Sequence, residues 1–291
     1  MRKILIFMNV IFNFICSQII LGQEFKGKLV CDSSTKLPIP YATIFVLNKH
    51  EGIYADQNGN FIIPLKINDT IKVSAIGYQP KISQGLNDTI FLEPRQYILN
   101  EITVFPKKQK EFEIGFIKSR KIAYYTFENN SETLLKIEIP EIFRSYFIKA
   151  VKIKCINHNH LPLYRLHIYD QDDGGMPGNE LLYKNIIVNH SVNRNGKIDL
   201  SKLSLFSDKK VLYIGIETIN AGKSSIQNSK NNPSGQASKS RIGITFEHSL
   251  SSTFSKSVFF DDKNWFCDHK RFRDPPFSPN PGNLMISLII E

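Results

Sequence analysis

Short runs of β-branched and aromatic residues recur about every ten residues along almost the whole chain. Residues 41–46, 164–169 and 211–216 are representative, and turn-forming residues separate one run from the next. Runs of this length match strands, and almost no segment shows the apolar period of a helix. The chain is therefore predicted to be all-β. Its 291 residues are enough for two β-sandwich domains, each with its own core.

The start of the chain has the pattern of a signal peptide. Residues 1–3 form a short basic region, and residues 4–21 form the apolar stretch that follows it. We predict that residues 1–22 are a signal peptide and that the mature protein begins at Gln23. An uncleaved membrane anchor is the alternative, because a stretch of this length is near the lower limit for crossing a bilayer. The asparagines within the stretch disfavour that alternative.

Residues 24–104 contain the first series of strand-like runs. Three of them lie at residues 25–30, 41–46 and 61–63. The turn at residues 56–60 contains an Asn-Gly pair, which tolerates positive φ. This segment is predicted to fold as a β-sandwich.

Two Asn-Asp-Thr triplets, at residues 68–70 and 87–89, each stand just before an apolar run. Asparagine and aspartate favour tight turns, because their side chains bond to the nearby backbone. We interpret both triplets as matched hairpin turns. A hairpin turn joins strands that are neighbours in one sheet.

Five motifs follow one another in the first segment: Gly-Lys-Leu-Val at 27–30, Pro-Tyr-Ala-Thr-Ile at 40–44, Asp-Gln-Asn-Gly-Asn-Phe at 56–61, Ile-Gly-Tyr at 76–78 and Leu-Asn-Glu-Ile-Thr-Val at 99–104. With these motifs, residues 24–104 resemble the carboxypeptidase-regulatory-like domain, a transthyretin-like sandwich common in Bacteroidetes envelope proteins. The resemblance implies a fold and an envelope location, and it implies no catalysis. A zinc carboxypeptidase needs a histidine with a glutamate three positions later, and none of the seven histidines has this spacing.

The rest of the chain is predicted to form a linker at residues 105–110 and a second domain at residues 111–291. The linker is basic and contains a proline. Eight further strand-like runs suggest that the second domain is a jelly-roll-like β-sandwich. Its motifs at residues 166–170 and 174–178 resemble, less specifically, jelly-roll domains of Bacteroidetes surface proteins of unassigned role. This resemblance concerns fold more than function.

An acidic turn in the second domain has the composition of a calcium site. Asp170, Asp172 and Asp173 stand beside two glycines, and Ca²⁺ prefers carboxylate oxygens. An acidic turn that joins two strands needs no ion, so both interpretations stay open. Calcium is the one cofactor that the sequence suggests.

The segment at residues 259–281 contains the only tryptophan of the chain, among further aromatic and charged residues. An aromatic ring can pack on the face of a pyranose, while charged groups bond to its hydroxyls. The candidate ligand-binding residues are Trp265, Phe266, His269, Arg271 and Arg273. The alternative is that Trp265 and Phe266 fill the open end of the sandwich.

Composition and motifs narrow the classes of function. The formal net charge of +10 is high, but no nucleic-acid-binding motif accompanies it, so we expect no nucleic-acid partner. No nucleophile elbow, P-loop or dinucleotide fingerprint occurs, so we expect that the chain is not an enzyme.

The sequence therefore predicts a non-catalytic, exported envelope protein that acts as an interaction or structural module. A carbohydrate-binding protein linked to polysaccharide uptake is the alternative. The partner would be an envelope protein or a glycan. The mature protein, without a transmembrane domain, would lie in the periplasm, at the outer membrane or on the cell surface.

Overall fold

The computed structural model describes residues 24–31, 35–47, 49, 51–65, 69–84, 89–96, 110–116, 118, 122–126, 130–156, 163–189, 196–219, 241–245, 252–259, 265–267 and 283–291. The predicted signal peptide lies outside these residues. The predicted linker lies outside them too, except for its last residue, Lys110.

Strands make up most of the described chain. They are β1 Glu24–Cys31, β2 Thr43–Val46, β3 Glu51–Tyr54, β4 Asn60–Pro64, β5 Thr70–Ser74, β6 Lys81–Gln84, β7 Thr89–Leu92, β8 Phe112–Gly115, β9 Ile122–Thr126, β10 Ser131–Glu138, β11 Tyr146–Ile153, β12 Cys155–Ile156, β13 Leu163–Gln171, β14 Pro177–Glu180, β15 Ile187–Asn189, β16 Lys197–Asp199, β17 Leu205–Ser207, β18 Val211–Ile219, β19 Arg241–Thr245, β20 Thr253–Ser257, β21 Phe266–Cys267, β22 Asn283–Leu284 and β23 Ile286–Ile290.

The all-β prediction is confirmed. Within the described residues, the helical structure consists of one 3₁₀ turn at Ser201–Leu203. None of the described helical structure has the length and apolarity needed to cross a membrane.

The first seven strands form a sandwich of two sheets. One sheet has the order β4-β1-β7, with β1 antiparallel to β4 and parallel to β7. The other has the order β3-β2-β5-β6. Alternate residues point inward, as the period of two along a strand requires. The inward set forms one buried apolar core, which includes Ile44, Val46, Ile53, Phe61, Ile63, Ile71, Val73, Ile90 and Leu92.

Two details of the first sandwich differ from the sequence interpretation. The hairpin interpretation of residues 68–70 and 87–89 is wrong, because β4 and β5 lie in different sheets, as do β6 and β7. Each triplet therefore ends at the start of a strand that belongs to a different sheet from the strand before it. The sequence analysis also missed β3 and β6, whose sequences Glu-Gly-Ile-Tyr and Lys-Ile-Ser-Gln contain residues that are depleted in strands.

The later strands form two layers around a second core. One large sheet has the order β14-β13-β18-β10-β20-β21, and β15 also pairs with β13. Facing it are a sheet of order β16-β11-β23-β8 and a smaller sheet of order β12-β19-β22. The second core takes its inward residues from both layers, including Leu166 and Ile168 from the large sheet and Val151 and Leu288 from the other.

The two sandwiches pack against each other through an apolar contact. Phe45 and Tyr54 lie on the outer face of the β2 and β3 strands, away from the first core. They join Ile219 and Phe259 of the later sequence in a separate buried cluster. The Tyr54 and Phe259 ring centroids are 5.4 Å apart. Gly52 lies against the Phe259 ring, at a position where a side chain has no room.

Replacing Gly52 with alanine should test this contact. A Cβ atom at residue 52 would lie 2.2 Å from Phe259 Cδ1 and 2.5 Å from the Ile44 carbonyl oxygen. The Gly52→Ala variant is therefore expected to lose about 1–3 kcal/mol of unfolding free energy through overpacking, as measured by chemical denaturation.

Gly174→Ala is the matched control. A Cβ atom there would meet only Asp172 Oδ1, at 3.4 Å, so its cost should be below about 0.5 kcal/mol. Equal stability of the two variants would contradict the packing of Phe259 on Gly52.

Candidate functional site

Four charged residues form a row across the large sheet. Residue pairing places Arg165 of β13 opposite Glu217 of β18, Glu217 opposite Glu132 of β10, and Glu132 opposite Lys256 of β20. Because side chains alternate along a strand, these four lie on the face opposite the second core. The order of charges across the row is positive, negative, negative, positive.

Arg165 is the point where this row meets the first sandwich. Its side chain is 4% exposed. Nη1 donates to Glu217 Oε2 at 2.7 Å and to Thr43 Oγ1 at 3.1 Å. Nε donates to Asn185 Oδ1 at 3.0 Å, and Nη2 donates to the Tyr41 carbonyl oxygen. The guanidinium thus bonds simultaneously to groups of both sandwiches.

His167 lies two residues further along β13, on the same face. Its Nδ1 lies 2.6 Å from Glu180 Oε2 and its Nε2 lies 2.9 Å from Glu217 Oε2. Burial by itself would lower the pKa of His167. The charges of Glu132 and Glu180, with the hydrogen bonds to Glu180 and Glu217, outweigh burial and raise that pKa to about 10. His167 is therefore a cation at neutral pH.

Glu217 receives hydrogen bonds from three directions. Besides Arg165 and His167, the Tyr54 hydroxyl donates to Oε1 at 2.7 Å. Burial would raise the pKa of Glu217, but the Arg165 charge and the His167 hydrogen bond lower it to about 2. Burial and the Glu217 charge raise the pKa of Tyr54, which stays a neutral donor. Tyr54 thus links the first sandwich to the same carboxylate that Arg165 holds.

Glu132 is the least satisfied member of the row. It is 3% exposed, and its Oε2 lies 3.0 Å from Lys256 Nζ. Its Oε1 lies 3.9 Å from His167 Nδ1 and has no hydrogen-bond partner among the described residues. A buried carboxylate oxygen without a donor is costly, since it has lost the hydrogen bonds that water provided.

A cavity of about 300 Å³ lies where the two sandwiches meet above this row. Its lining comes from both parts of the chain: Thr43, Phe45, Lys72, Ser74, Ala75, Ile76, Gly77, Tyr78, Pro80, Arg95, Glu132, Arg165, His167, Tyr169, Glu180, Glu217, Lys256 and Val258. We call this cavity the junction cleft. Its volume is at the lower end of the range for small-molecule sites, roughly 300–1,000 Å³.

The predicted ligand-binding residues do not form one surface in the described part of the chain. Trp265 is 9% exposed and packs with Leu134, Tyr213 and Phe254, whereas Phe266 is 63% exposed. Little of the indole face is therefore open for a sugar. His269, Arg271 and Arg273 lie outside the described residues.

Trp265 nevertheless borders the charged row. Lys256 Nζ lies 4.1 Å from the centre of its ring, in a cation–π contact. Its ring centroid is 5.9 Å from that of Tyr169, edge to face. Any change at Lys256 should therefore alter the surroundings of the only tryptophan.

The acidic turn predicted as a calcium site is held by the protein's own backbone. Asp170 Oδ1 accepts from the Asn179 amide at 2.6 Å, and Asp172 Oδ1 accepts from the Met176 amide at 2.7 Å. Asp173 is exposed. Among the described residues, no group of three or more His, Cys, Asp or Glu side chains is placed to hold a metal ion. The geometry therefore gives the calcium interpretation no support.

The sequence analysis missed the residues that do converge. It identified the strand at residues 164–169 but gave no role to Arg165 or His167. Alternation of charged and apolar residues normally indicates one solvent-facing side of a strand. Glu132 and Glu217 alternate with apolar residues in the same way. Their burial could not be predicted from their own strands, because it depends on the other sandwich. The raised pKa of His167 depends on glutamates from three other strands, which no local motif reveals.

Comparison with known proteins assigns the first sandwich. The model of the CarboxypepD_reg-like domain family matches residues 25–104, which confirms the carboxypeptidase-regulatory-like domain predicted at residues 24–104. A comparison with curated proteins finds no match.

Two solved structures of infectious bursal disease virus align with this chain. For the Gx strain, sequence identity is 10% and the TM-score is 0.23; for the Gt strain, they are 9% and 0.21. Each alignment covers 92% of this chain, which spans 59% and 58% of the respective viral chains. TM-scores this low do not establish a common fold.

The buried charges predict how stability depends on pH. The pKa of His167 rises on folding from 6.5 to about 10, so its stabilising contribution is complete below pH 6.5 and lost as the pH rises toward 10. The pKa of Glu217 falls from 4.5 to about 2, so its contribution is complete above pH 4.5 and lost as the pH falls toward 2. Both contributions are complete between pH 4.5 and 6.5.

Chemical denaturation of the wild type should therefore show falling stability from pH 6.5 to 9.5, with a slope approaching about 1.4 kcal/mol per pH unit. Staying below pH 9.5 limits ionisation of tyrosine in the unfolded state, because its ordinary pKa is about 10. The His167→Gln variant keeps the other six histidines, so it removes only the contribution of His167. The slope should therefore disappear in this variant. An equal slope in both proteins would show that His167 is not a buried cation.

Replacement of Trp265 by alanine should distinguish a packing residue from an exposed binding residue. Loss of a buried indole should lower the unfolding free energy by roughly 3–5 kcal/mol, as measured by chemical denaturation. Phe266→Ala, next to it but exposed, should change stability by less than about 0.5 kcal/mol. A cost below about 1 kcal/mol for Trp265→Ala would contradict its packing role.

Proposed function

We propose that this protein is a non-catalytic, exported envelope protein that acts as an interaction or structural module. The junction cleft carries this proposal, because both sandwiches line it and it contains a buried acceptor, Glu132 Oε1, that has no hydrogen bond of normal geometry from the described residues. The match to the CarboxypepD_reg-like domain family supports it as well, since the resemblance to that domain implies an envelope location.

The chemistry of the buried row supports binding more than catalysis. A general base at neutral pH needs a free lone pair and a pKa near the working pH. His167 is held as a cation by carboxylates at both ring nitrogens, and the low pKa of Glu217 makes that carboxylate a weak base. Arg165 bonds to four protein groups. These side chains are committed to one another and fix the shape of the cleft.

Carbohydrate binding is the second candidate, and we place it in the junction cleft. Hydrogen-bonding groups such as Glu132 line the same cleft as the apolar surfaces of Ile76, Tyr78 and Val258. Sugars present hydroxyls in their ring plane and C–H groups on their faces, so a mixed lining of this kind suits them. The size of the cleft favours a single sugar unit over an enclosed chain of several units.

The partner is an envelope protein or a glycan, and nucleic acid is not part of the proposal. The protein belongs, on this proposal, to the periplasm or outer membrane of a Bacteroidetes bacterium, or to its cell surface. The later strands form its second module, for which we retain the jelly-roll assignment.

Cell fractionation with affinity purification tests the proposed role. We expect the chain in the envelope fraction, with Gln23 as its first residue, together with a bound protein or glycan. Ser74 lines the cleft and is partly exposed, so Ser74→Phe should obstruct the cleft without removing a charge. This variant should lose the bound partner.

Ser83→Phe is the control for added bulk, because Ser83 is also partly exposed and does not line the cleft. It should keep the partner. Recovery of the chain from the cytosol with Met1 intact would overturn the envelope location. Retention of the partner by Ser74→Phe would show that the junction cleft is not where it binds.

A further inference from the structure

The floor of the junction cleft is close to electrically neutral. Three carboxylates, of Glu132, Glu180 and Glu217, are matched by Arg165, Lys256 and the protonated His167. An ammonium ligand would therefore meet no excess of negative charge there.

The floor has one acceptor with unused hydrogen-bonding capacity. Glu132 Oε1 is buried, belongs to the cleft lining and has no hydrogen bond of normal geometry among the described residues, while the Tyr169 hydroxyl interacts with the same carboxylate group. A carboxylate oxygen can only accept, so the complementary ligand group is a donor. A neutral hydroxyl fits this position, because it satisfies the oxygen without disturbing the charge balance.

The outer part of the cleft has a different character. Lys72 is partly exposed and Arg95 is exposed, and both line the cleft. Neither side chain has a carboxylate within 4.0 Å among the described residues. Two cations without opposite charge at a cavity entrance attract an anionic group, and arginine is well suited to carboxylate.

We infer that the junction cleft binds a sugar acid, that is, a saccharide unit that carries a carboxylate as well as hydroxyl groups. The inference rests on the proposed carbohydrate role of the cleft and specifies its ligand class. A hydroxyl of the sugar donates to Glu132 Oε1. The carboxylate lies at the entrance with Lys72 and Arg95, and the C–H face of the ring packs on the apolar lining.

Other ligand classes satisfy only part of this arrangement. Inorganic phosphate would suit the entrance cations, but it has no C–H face to pack on the apolar lining. A neutral sugar would satisfy Glu132 and leave Lys72 and Arg95 unused. An amino sugar would place its ammonium group beside the balanced floor or the cationic entrance, and neither favours it.

Titration of the purified mature protein with matched sugars tests the inference. Glucuronate and galacturonate are compared with glucose and galactose, which differ from them only at the carboxylate, and with glucosamine and phosphate. Calorimetry gives the affinity, and fluorescence of the single tryptophan reports on the site through Lys256. We expect at least one sugar acid to bind at least tenfold more tightly than its neutral counterpart and than phosphate.

Two variants assign the contributions to residues. Lys72→Gln with Arg95→Gln should abolish the preference for the acid, while weak binding of the neutral sugar persists. Lys202→Gln with Arg144→Gln removes the same charge from exposed positions outside the cleft and should preserve the preference. Glu132→Gln should weaken the acid and the neutral sugar alike, and a thermal melt checks that it folds.

Each of the other possible titration results would overturn one specific claim. Equal affinity for acid and neutral sugar would overturn the sugar-acid inference and leave carbohydrate binding in place. Phosphate binding as tight as that of the acids would reduce the site to an anion site. Glucosamine as the tightest ligand would contradict the charge argument. Failure of every sugar to bind would remove the carbohydrate candidate together with the inference, while the envelope role would still be decided by fractionation.

Discussion

One buried guanidinium determines how the two sandwiches of this protein fit together. Transfer of an ion from water to a protein interior costs several kcal/mol, and that cost is offset only when the ion's hydrogen bonds are replaced. Arg165 achieves this with acceptors from both sandwiches, namely the Glu217 carboxylate and the Asn185 amide on one side and Thr43 and the Tyr41 carbonyl on the other. A different orientation of the sandwiches would remove the Thr43 and Tyr41 acceptors and leave part of the guanidinium without hydrogen bonds.

The same requirement explains the composition of the junction cleft. Once Arg165 and Glu217 are buried together, the neighbouring groups must balance in charge, and His167 does so by staying protonated between Glu180 and Glu217. Tyr54, whose hydroxyl bonds to Glu217, is buried against the Phe259 ring. The cleft is lined by the same row, and Glu132 Oε1 in that lining has no hydrogen-bond partner of normal geometry among the described residues.

The strands and cores could largely be predicted from the sequence, because apolar residues with a period of two decide which side of a strand is buried. Leu166 and Ile168 illustrate this, since both lie in the second core. Which sheet each strand joins was harder to predict from the sequence. The triplets at residues 68–70 and 87–89 have turn chemistry, but that chemistry does not determine whether the next strand joins the same sheet. The short β3 strand was missed because its order comes from pairing with β2 and from burial of Tyr54.

By itself, the sequence determined the all-β class, the positions of most strands and the identity of the first domain, because these depend on local periodicity and on motifs contiguous in the chain. Only the tertiary structure decided the site. The alternating charges of β13 have the local pattern of a solvent-exposed face. They form a buried network because the first sandwich covers them. Trp265, in turn, is a packing residue because Leu134, Tyr213 and Phe254 surround it. Burial of a charge or a ring depends on residues distant in the chain, and a local pattern does not contain that information.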